Sequence, residues 1–328
     1  MNVKLSVATT DYDHFRDFRT GLVRAEGIDA TWSMLGHHEI FSRFTFNREW
    51  DVAELSFAKF SAQVTRADSD IIGLPVYASR LFRFASFYVN RTKGIKTAKD
   101  LRGKRIGVPE WAHTAAVYMR GWLMHEGGVP LQDIEWVQAG TNEAGRIEKV
   151  ELTLPKGVTL RREPEKTLSG MIASGELDCV IIARPPNCFR EKHPDVVRLF
   201  PDFEEIEHRY YQDTHVYPIM HVIALRKAIL ADNPWIARNL LNAFEESKRR
   251  SLERLLDPAV SRYPIPWLTN HARSISEMFG GDPFPYGIEP NRPTLELFLR
   301  YCHEQGIAHR LARPEEIFPP GIMAPVKV

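Results

Sequence analysis

The chain has 328 residues, with 43 Lys and Arg against 42 Asp and Glu, a net charge of +1, and 44% apolar and 26% charged content. That length exceeds one small core and fits two domains of ordinary size; the balanced charge offers no basic surface for nucleic acid, and no run of about eighteen apolar residues could span a bilayer. Cys179, Cys188 and Cys302 form neither a paired framework nor a CxxC motif, so they read as reduced thiols of a cytoplasmic protein.

The N-terminus goes directly into alternating Val3, Leu5 and Val7, without the basic, apolar and small-residue pattern of a secretory leader. Residues 2–10 predict a strand, followed by the turn-forming TTDYDHF and a segment of mixed period up to Gly21. Residues 27–35 alternate like a second strand, Ile40, Phe41 and Phe44 give 39–50 helical spacing, DVAELS is a short strand, and 57–67 reads as a helix. Residues 71–76 and 83–90 are β-like and end at the polar connection 91–99.

The next stretch, LRGKRIGVPEWAHTAAVYMRGWLMHEG, runs a strand into a helix: Ile106 and Val108 alternate, Pro109 stops the strand, and Ala112, Ala115, Ala116, Met119, Trp122 and Leu123 recur on one helical face. The intervening turn should expose Glu110, Trp111, His113 and Thr114, where free N–H groups and the helix dipole favour an anion. An ordinary cap by Thr114 or Glu110 fits the same residues. Strands follow at 134–137 and 157–160, a helix at 167–174, and the most apolar strand, LDCVIIA, at 177–183. TNEAGRIEKVELTLPKG is loop-like and expected over the surface, and 193–214 is irregular. Residues 216–225 are apolar, 233–256 form a strong amphipathic helix, and the Pro-rich remainder includes a helix at 294–303. Alternating strands and helices imply parallel α/β layers in two lobes, 1–92 plus 213–328 and 93–212, with a ligand cleft at the strand ends between them.

Motifs along nearly the whole chain carry a family resemblance: DYD at 11–13, EGID at 26–29, EIFSR at 39–43, DVAELS at 51–56, PVYASRLFR at 75–83, GKRIGVPE at 103–110, TAAVYMRGWL at 114–123, ARPPNCFR at 183–190, LFPD at 199–202, YPIMH at 217–221, PYGIEPNR at 285–292 and HEQG at 303–306. The chain resembles the 4,5-dihydroxyphthalate decarboxylase family, whose fold is similar to type II periplasmic binding proteins. The resemblance implies a cytoplasmic carboxy-lyase converting a hydroxylated aromatic dicarboxylate, 4,5-dihydroxyphthalate, to protocatechuate and CO2. Where the family pattern carries a histidine after SRLFR this chain has Phe84, and His113 stands where another residue is commoner; either His113 supplies the imidazole or the substrate differs.

Such chemistry needs a proton donor to the ring carbon, for which histidine is suited, and cations for the carboxylates, for which the arginine fork is suited. Catalytic candidates are His221, His113 and Glu110. Binding candidates are Arg80 and Arg83, Arg184 after the buried strand, Thr114, the strand-end carboxylates Asp11 and Glu54, and Tyr286. The same residue types also serve as a core histidine, inter-lobe salt bridges, caps and surface loops. No metal-ligand spacing, phosphate loop or GxSxG elbow is present, so no organic cofactor is expected, and metal dependence stays open. The expected partner is a small aromatic carboxylate, with neither nucleic acid nor membrane; aromatic residues offer material for a homodimer without locating an interface. A non-catalytic solute-binding protein for a carboxylate is the rival reading, and would require export.

Overall fold

A computed structural model describes residues 2–322; residues 1 and 323–328, at the ends of the expected first lobe, lie outside the described residues. In chain order the strands are β1 Val3–Thr9, β2 Ile28–Met34, β3 Val52–Ser56, β4 Ile71–Arg80, β5 Phe87–Asn90, β6 Arg105–Val108, β7 Glu135–Gly140, β8 Leu160–Thr167, β9 Cys179–Ile181, β10 Val196–Arg198 and β11 Ile219–Arg226. The helices are α1 Arg16–Arg19, α2 His37–Asn47, α3 Phe57–Val64, α4 Thr114–His125, α5 Leu168–Ala173, α6 Asn187–Arg190, α7 Phe203–Thr214, α8 Ala228–Ala231, α9 Trp235–Leu256, α10 Leu268–Met278 and α11 Arg292–Glu304.

The described residues form two sheets, one of five strands in the order β2-β1-β3-β11-β4 and one of six in the order β10-β5-β9-β6-β7-β8. In the first, β1 lies parallel to β2 and β3, and β11 runs antiparallel between β3 and β4. In the second, β6 is parallel to β7 and β9, and β5 is antiparallel to β9 and β10. Central strands of such sheets are covered on both faces, which is why every residue of β3, Glu54 and Ser56 included, is buried.

The chain crosses between sheets twice, after β4 and again before β11. The crossovers touch where Leu81 N–H donates to the Pro218 carbonyl at 3.2 Å. Because β5 already pairs in the second sheet, the first crossover falls at 81–86, ahead of the polar connection at 91–99 that the sequence suggested. Arg80 ties this junction. It donates to the Tyr217 carbonyl at 2.7 Å, Asn291 Oδ1 at 2.6 Å and the Pro285 carbonyl at 3.2 Å, and its guanidinium lies 4.3 Å from the Tyr217 ring centroid.

Away from the cleft the two sheets share one apolar core, containing Leu5, Phe57 and Phe298 as well as Trp111, Trp136 and Ile181. Polar ties are buried within it: Trp111 Nε1 and Arg120 Nε donate to the carbonyl and side-chain oxygens of Gln305, both at 2.8 Å. The α4–α11 contact is close because Gly121 has no side chain.

Three expected features differ. Phe84–Ser86 form a 3-10 turn with Phe84 buried against Trp122, Phe200 and Tyr210, and the strand begins only at Phe87. The irregular 193–214 segment contains α7, a half-solvated helix with no fully buried residue, so its apolar stripe is weak. The turn at 110–114 is not exposed: Glu110 and Trp111 are fully buried and Thr114 nearly so, covered by β3, α3 and the 141–159 loop.

A Cβ at Gly121 would meet the Tyr301 ring at 2.1 Å. Gly121→Ala is therefore expected to lower stability by roughly 1–3 kcal/mol through overpacking, read as a lower denaturant midpoint at unchanged m-value.

Candidate active site

A cavity of about 340 Å³ opens between the sheets, within the range of small-ligand sites. Its first-sheet wall carries Tyr12, His37, His38, Phe41, Ser56, Lys59, Ser79 and His221; the opposite wall carries His113, Thr114, Thr141, Arg146 and Arg184, with Arg83 at the crossover. A second cavity of about 470 Å³ behind the crossovers is lined largely by apolar side chains such as Phe82, Leu252, Ile275 and Phe279, and its Lys248 is already paired with Glu245 and Asp282. The first cavity is the one that gathers three arginines, Arg83, Arg146 and Arg184, beside four histidines.

Sheet register builds the central pair. Ile223 lies opposite Glu54 across β11 and β3, so His221, two residues back, is diagonal to Glu54 on the same face. His221 also sits where the β11–β4 register shifts, a local irregularity that re-aims a side chain. His221 Nδ1 and Glu54 Oε1 are 2.6 Å apart, which leaves Nε2 on the cavity side. The Glu54 carboxylate also accepts from Tyr12 Oη at 2.6 Å and from Thr10 N–H at 2.7 Å. Burial opposes ionisation of Glu54, but the hydrogen bond and charge of His221, followed by Tyr12 and Thr10, outweigh it and hold the carboxyl below its ordinary range. Burial, and then the adjacent Glu54 charge, push the Tyr12 phenol far up, so Tyr12 stays protonated as a donor.

Glu110 forms a second buried cluster. Lys59 Nζ lies 2.5 Å from its Oε2, and Arg146 Nε and Lys149 Nζ lie 2.6 and 3.2 Å from its Oε1. Burial opposes its ionisation too, yet Lys59, Arg146 and Lys149 hold it well below the ordinary carboxylate range. Three cations around one carboxylate leave excess positive charge beside the cavity. Arg83 and Arg184 add to it, since neither has a carboxylate within ion-pair distance among the described residues; Arg83 Nε lies 3.1 Å from Met220 Sδ, and burial brings its guanidinium down to about 10.

Imidazoles make up the remainder of the cavity's titratable groups. His113 and His37 are both lowered, chiefly by burial, then by Arg146 and by His221 respectively; His38 falls to about 3 through burial and Arg146. All three are neutral near pH 7. The buried Nδ1 of His113 has no hydrogen-bond partner. Thr114 Oγ1 accepts from Ala58 N–H at 3.1 Å and lies 2.8 Å from Ser56 Oγ, pinning the start of α4 to the first sheet; Thr114 and Ala115 of that first turn, whose N–H groups have no partner within the helix, line the cavity.

Of the residues singled out from sequence, the structure brings Arg83, His113, Thr114, Arg184 and His221 to the cavity, with Glu54 and Glu110 directly behind it. Arg80 does not reach it, being committed to the Tyr217 and Pro285 carbonyls and the Asn291 side chain. Tyr286 is buried beside Phe284 and Tyr77, with Lys248 Nζ 4.5 Å from its ring centroid, and exposed Asp11 pairs with Arg19 at 3.0 Å. Phe84 also lies outside the cavity lining, so an imidazole at that position would sit in the core of the second sheet. Sequence reasoning missed Tyr12, Lys59, Arg146 and the His37–His38 pair. DYD and the two adjacent histidines were visible signals. Arg146 was hidden in a loop expected to lie over the surface. Among the described residues, no group of three His, Cys, Asp or Glu side chains is placed to hold a metal ion.

Two sheets, two crossovers and a cleft at the strand ends define the two-lobe periplasmic-binding-protein fold, and the chain matches the Escherichia coli periplasmic aliphatic sulphonate binding protein SsuA with a TM-score of 0.55 at 12% identity, covering 98% of this chain and 99% of that one. That likeness concerns the fold alone. No family model matches the sequence. The chain is, however, 37% identical over 327 residues to a 4,5-dihydroxyphthalate decarboxylase of Comamonas testosteroni, covering 99% of both, and 42% identical over 201 residues to one of Pseudomonas putida, covering 61% of this chain and 78% of the relative. It belongs to the 4,5-dihydroxyphthalate decarboxylase family.

Removing the Glu110 charge leaves Lys59 buried without compensation, so Glu110→Gln is expected to cost roughly 3–5 kcal/mol in equilibrium unfolding. Glu54 and Glu110 both ionise below the ordinary carboxylate range when folded. Their contribution to stability is therefore complete above that range and is lost as pH falls through the depressed values. Guanidinium unfolding at pH 7, 5 and 3 should show this loss, and Glu54→Gln should flatten it.

Proposed function

We propose that the protein decarboxylates a hydroxylated aromatic dicarboxylate, 4,5-dihydroxyphthalate, giving protocatechuate and CO2. The observation that carries this reading is the charge of the cavity: Lys59, Arg83, Arg146 and Arg184 line it, while the carboxylates behind it, Glu54 and Glu110, are already engaged. Such a site favours a dianion. The full-length relationship to an enzyme of that name supports the choice of ring.

In this reading Arg146, Arg184 and the first-turn N–H groups of α4 hold the carboxylates, and Arg83 completes the field from the crossover. His221, as imidazolium, donates its Nε2 proton to the ring carbon bearing the departing carboxylate. The carbon–carboxylate bond then breaks, its electron pair restores the aromatic ring, and CO2 leaves. Glu54 fixes the imidazole through Nδ1, the role of a carboxylate partner in acid–base pairs. One proton is taken up for each CO2 released.

The same proposal includes a cytoplasmic location, supported by three buried free cysteines, Cys179, Cys188 and Cys302. No described helix is long and apolar enough to cross a membrane. Exposed Val260, Ile265 and Trp267 are surface material for a homodimer, whose presence light scattering in solution tests.

Purified protein incubated with 4,5-dihydroxyphthalate should release CO2 and protocatechuate, followed by chromatography; saturable binding without product would replace this reading with solute binding. His221→Ala should lower kcat by roughly 10²–10⁴-fold. Arg184→Ala should act mainly on KM, by roughly tenfold or more, as expected for loss of a charge-assisted contact.

A further inference from the structure

The cavity holds two imidazoles side by side that are treated differently by the protein. His37 and His221 are stacked, with ring centroids 5.7 Å apart and planes 29° apart, and Phe41 packs its edge against both. His221 has a carboxylate partner, Glu54, at 2.6 Å. Neither ring nitrogen of His37 has a hydrogen-bond partner among the described residues, although the ring lines the cavity from the first turn of α2. A half-buried imidazole without a protein partner, beside one tethered to a carboxylate, is the arrangement in which one ring serves as acid and its neighbour as base.

We infer that His37 is the base that takes the proton from the substrate hydroxyl para to the departing carboxylate, working opposite His221 as acid. This rests on the decarboxylase reading above. The hydroxyl gives its proton to a ring nitrogen of His37, and the oxygen electron pair moves into the ring. The ring carbon para to that oxygen takes the Nε2 proton of His221, leaving His221 neutral and a ring ketone in place of the phenolate. Cleavage of the carboxylate bond returns its electron pair through the ring to the oxygen, CO2 leaves, and His37 hands its proton back to that oxygen. His221 regains a proton from water, so the sum is one proton consumed and one CO2 released.

The surroundings favour this division of labour. The charged and titratable groups facing His37 are His221 from β11, Glu54 from β3, Arg184 after β9, Arg146 from the 141–159 loop and His38 on its own helix, while Lys59, Arg83 and His113 also line the cavity. Burial, and then His221, with Arg184 and Arg146 adding to them, favour neutral His37, and Glu54 alone among the leading contributors works against them. An imidazolium at His221 therefore keeps its neighbour in the neutral form that can take the hydroxyl proton.

The test compares wild type with His37→Gln, which keeps a polar side chain of similar reach but cannot carry the proton. Turnover of 4,5-dihydroxyphthalate is measured across pH 5–9, and binding of phthalate, which has the carboxylates but no hydroxyls, is measured by calorimetry. The expected result is a kcat lowered roughly 10²–10⁴-fold with phthalate affinity within about threefold of wild type, and loss of the acid limb of the kcat profile, where protonated His37 is inactive. Unchanged kcat in the variant, or an acid limb that persists, overturns the assignment of His37 while leaving the decarboxylase reading intact. No turnover by wild type overturns both. Loss of phthalate binding together with kcat would make His37 a carboxylate-site residue and overturn its role as base.

Discussion

The fully buried carboxylate of Glu110 is the constraint around which the cleft is assembled. Leaving a charge uncompensated in the interior costs several kcal/mol, so the site exists only if cations converge on it. They come from two places far apart in sequence, Lys59 on α3 under the first sheet and Arg146 with Lys149 on the long loop of the second. The convergence closes the back of the cavity and holds the 141–159 loop inward. Because one negative charge is shared by three positive ones, it also leaves the cleft positive.

Glu54 is an equally buried carboxylate used for a different purpose. Its neighbours are a phenol, a backbone N–H and a histidine, so its charge is spent on fixing one imidazole. Around that pair stand His37, His38 and His113, kept neutral by burial and by the same cations that Glu110 gathers. Two carboxylates at the ends of adjacent strand–helix units thus divide the site. In the proposed reaction, one gathers positive charge for binding and the other orients the proton-donating imidazole.

The polar ties at the rear limit how the two halves can move. Trp111 and Arg120 are bound to Gln305, Thr114 to Ser56 and Ala58, and Arg80 to the second crossover, all within or beside one continuous core. Groups placed on opposite sheets face each other across the cavity, with Arg184 on one wall, His221 on the other and Arg83 at the crossover.

Alternating strands and helices, the strand–turn–helix at 105–125 and the long α9 were legible because local periodicity records which face of an element is buried. The motifs from DYD to HEQG carried the family and, through YPIMH, His221, while Arg83, Arg184 and Glu54 could be named because strand ends in α/β sheets point at ligands. Arg80 and Arg83 show the limit: they lie three residues apart in one motif, yet one reaches the cavity and the other ties the crossover, since the chain turns between them. Tyr286 and Asp11 fall away from the cleft for the same kind of reason. By itself the sequence determined the layer type, the family and the supply of arginines and histidines. Only the tertiary structure decided that β11 returns beside β3 so that His221 meets Glu54, that the 141–159 loop delivers Arg146 to Glu110, and that His37 stands beside His221. Each of those depends on strand register and on contacts between segments tens to hundreds of residues apart, where local pattern carries no information about which charge faces which.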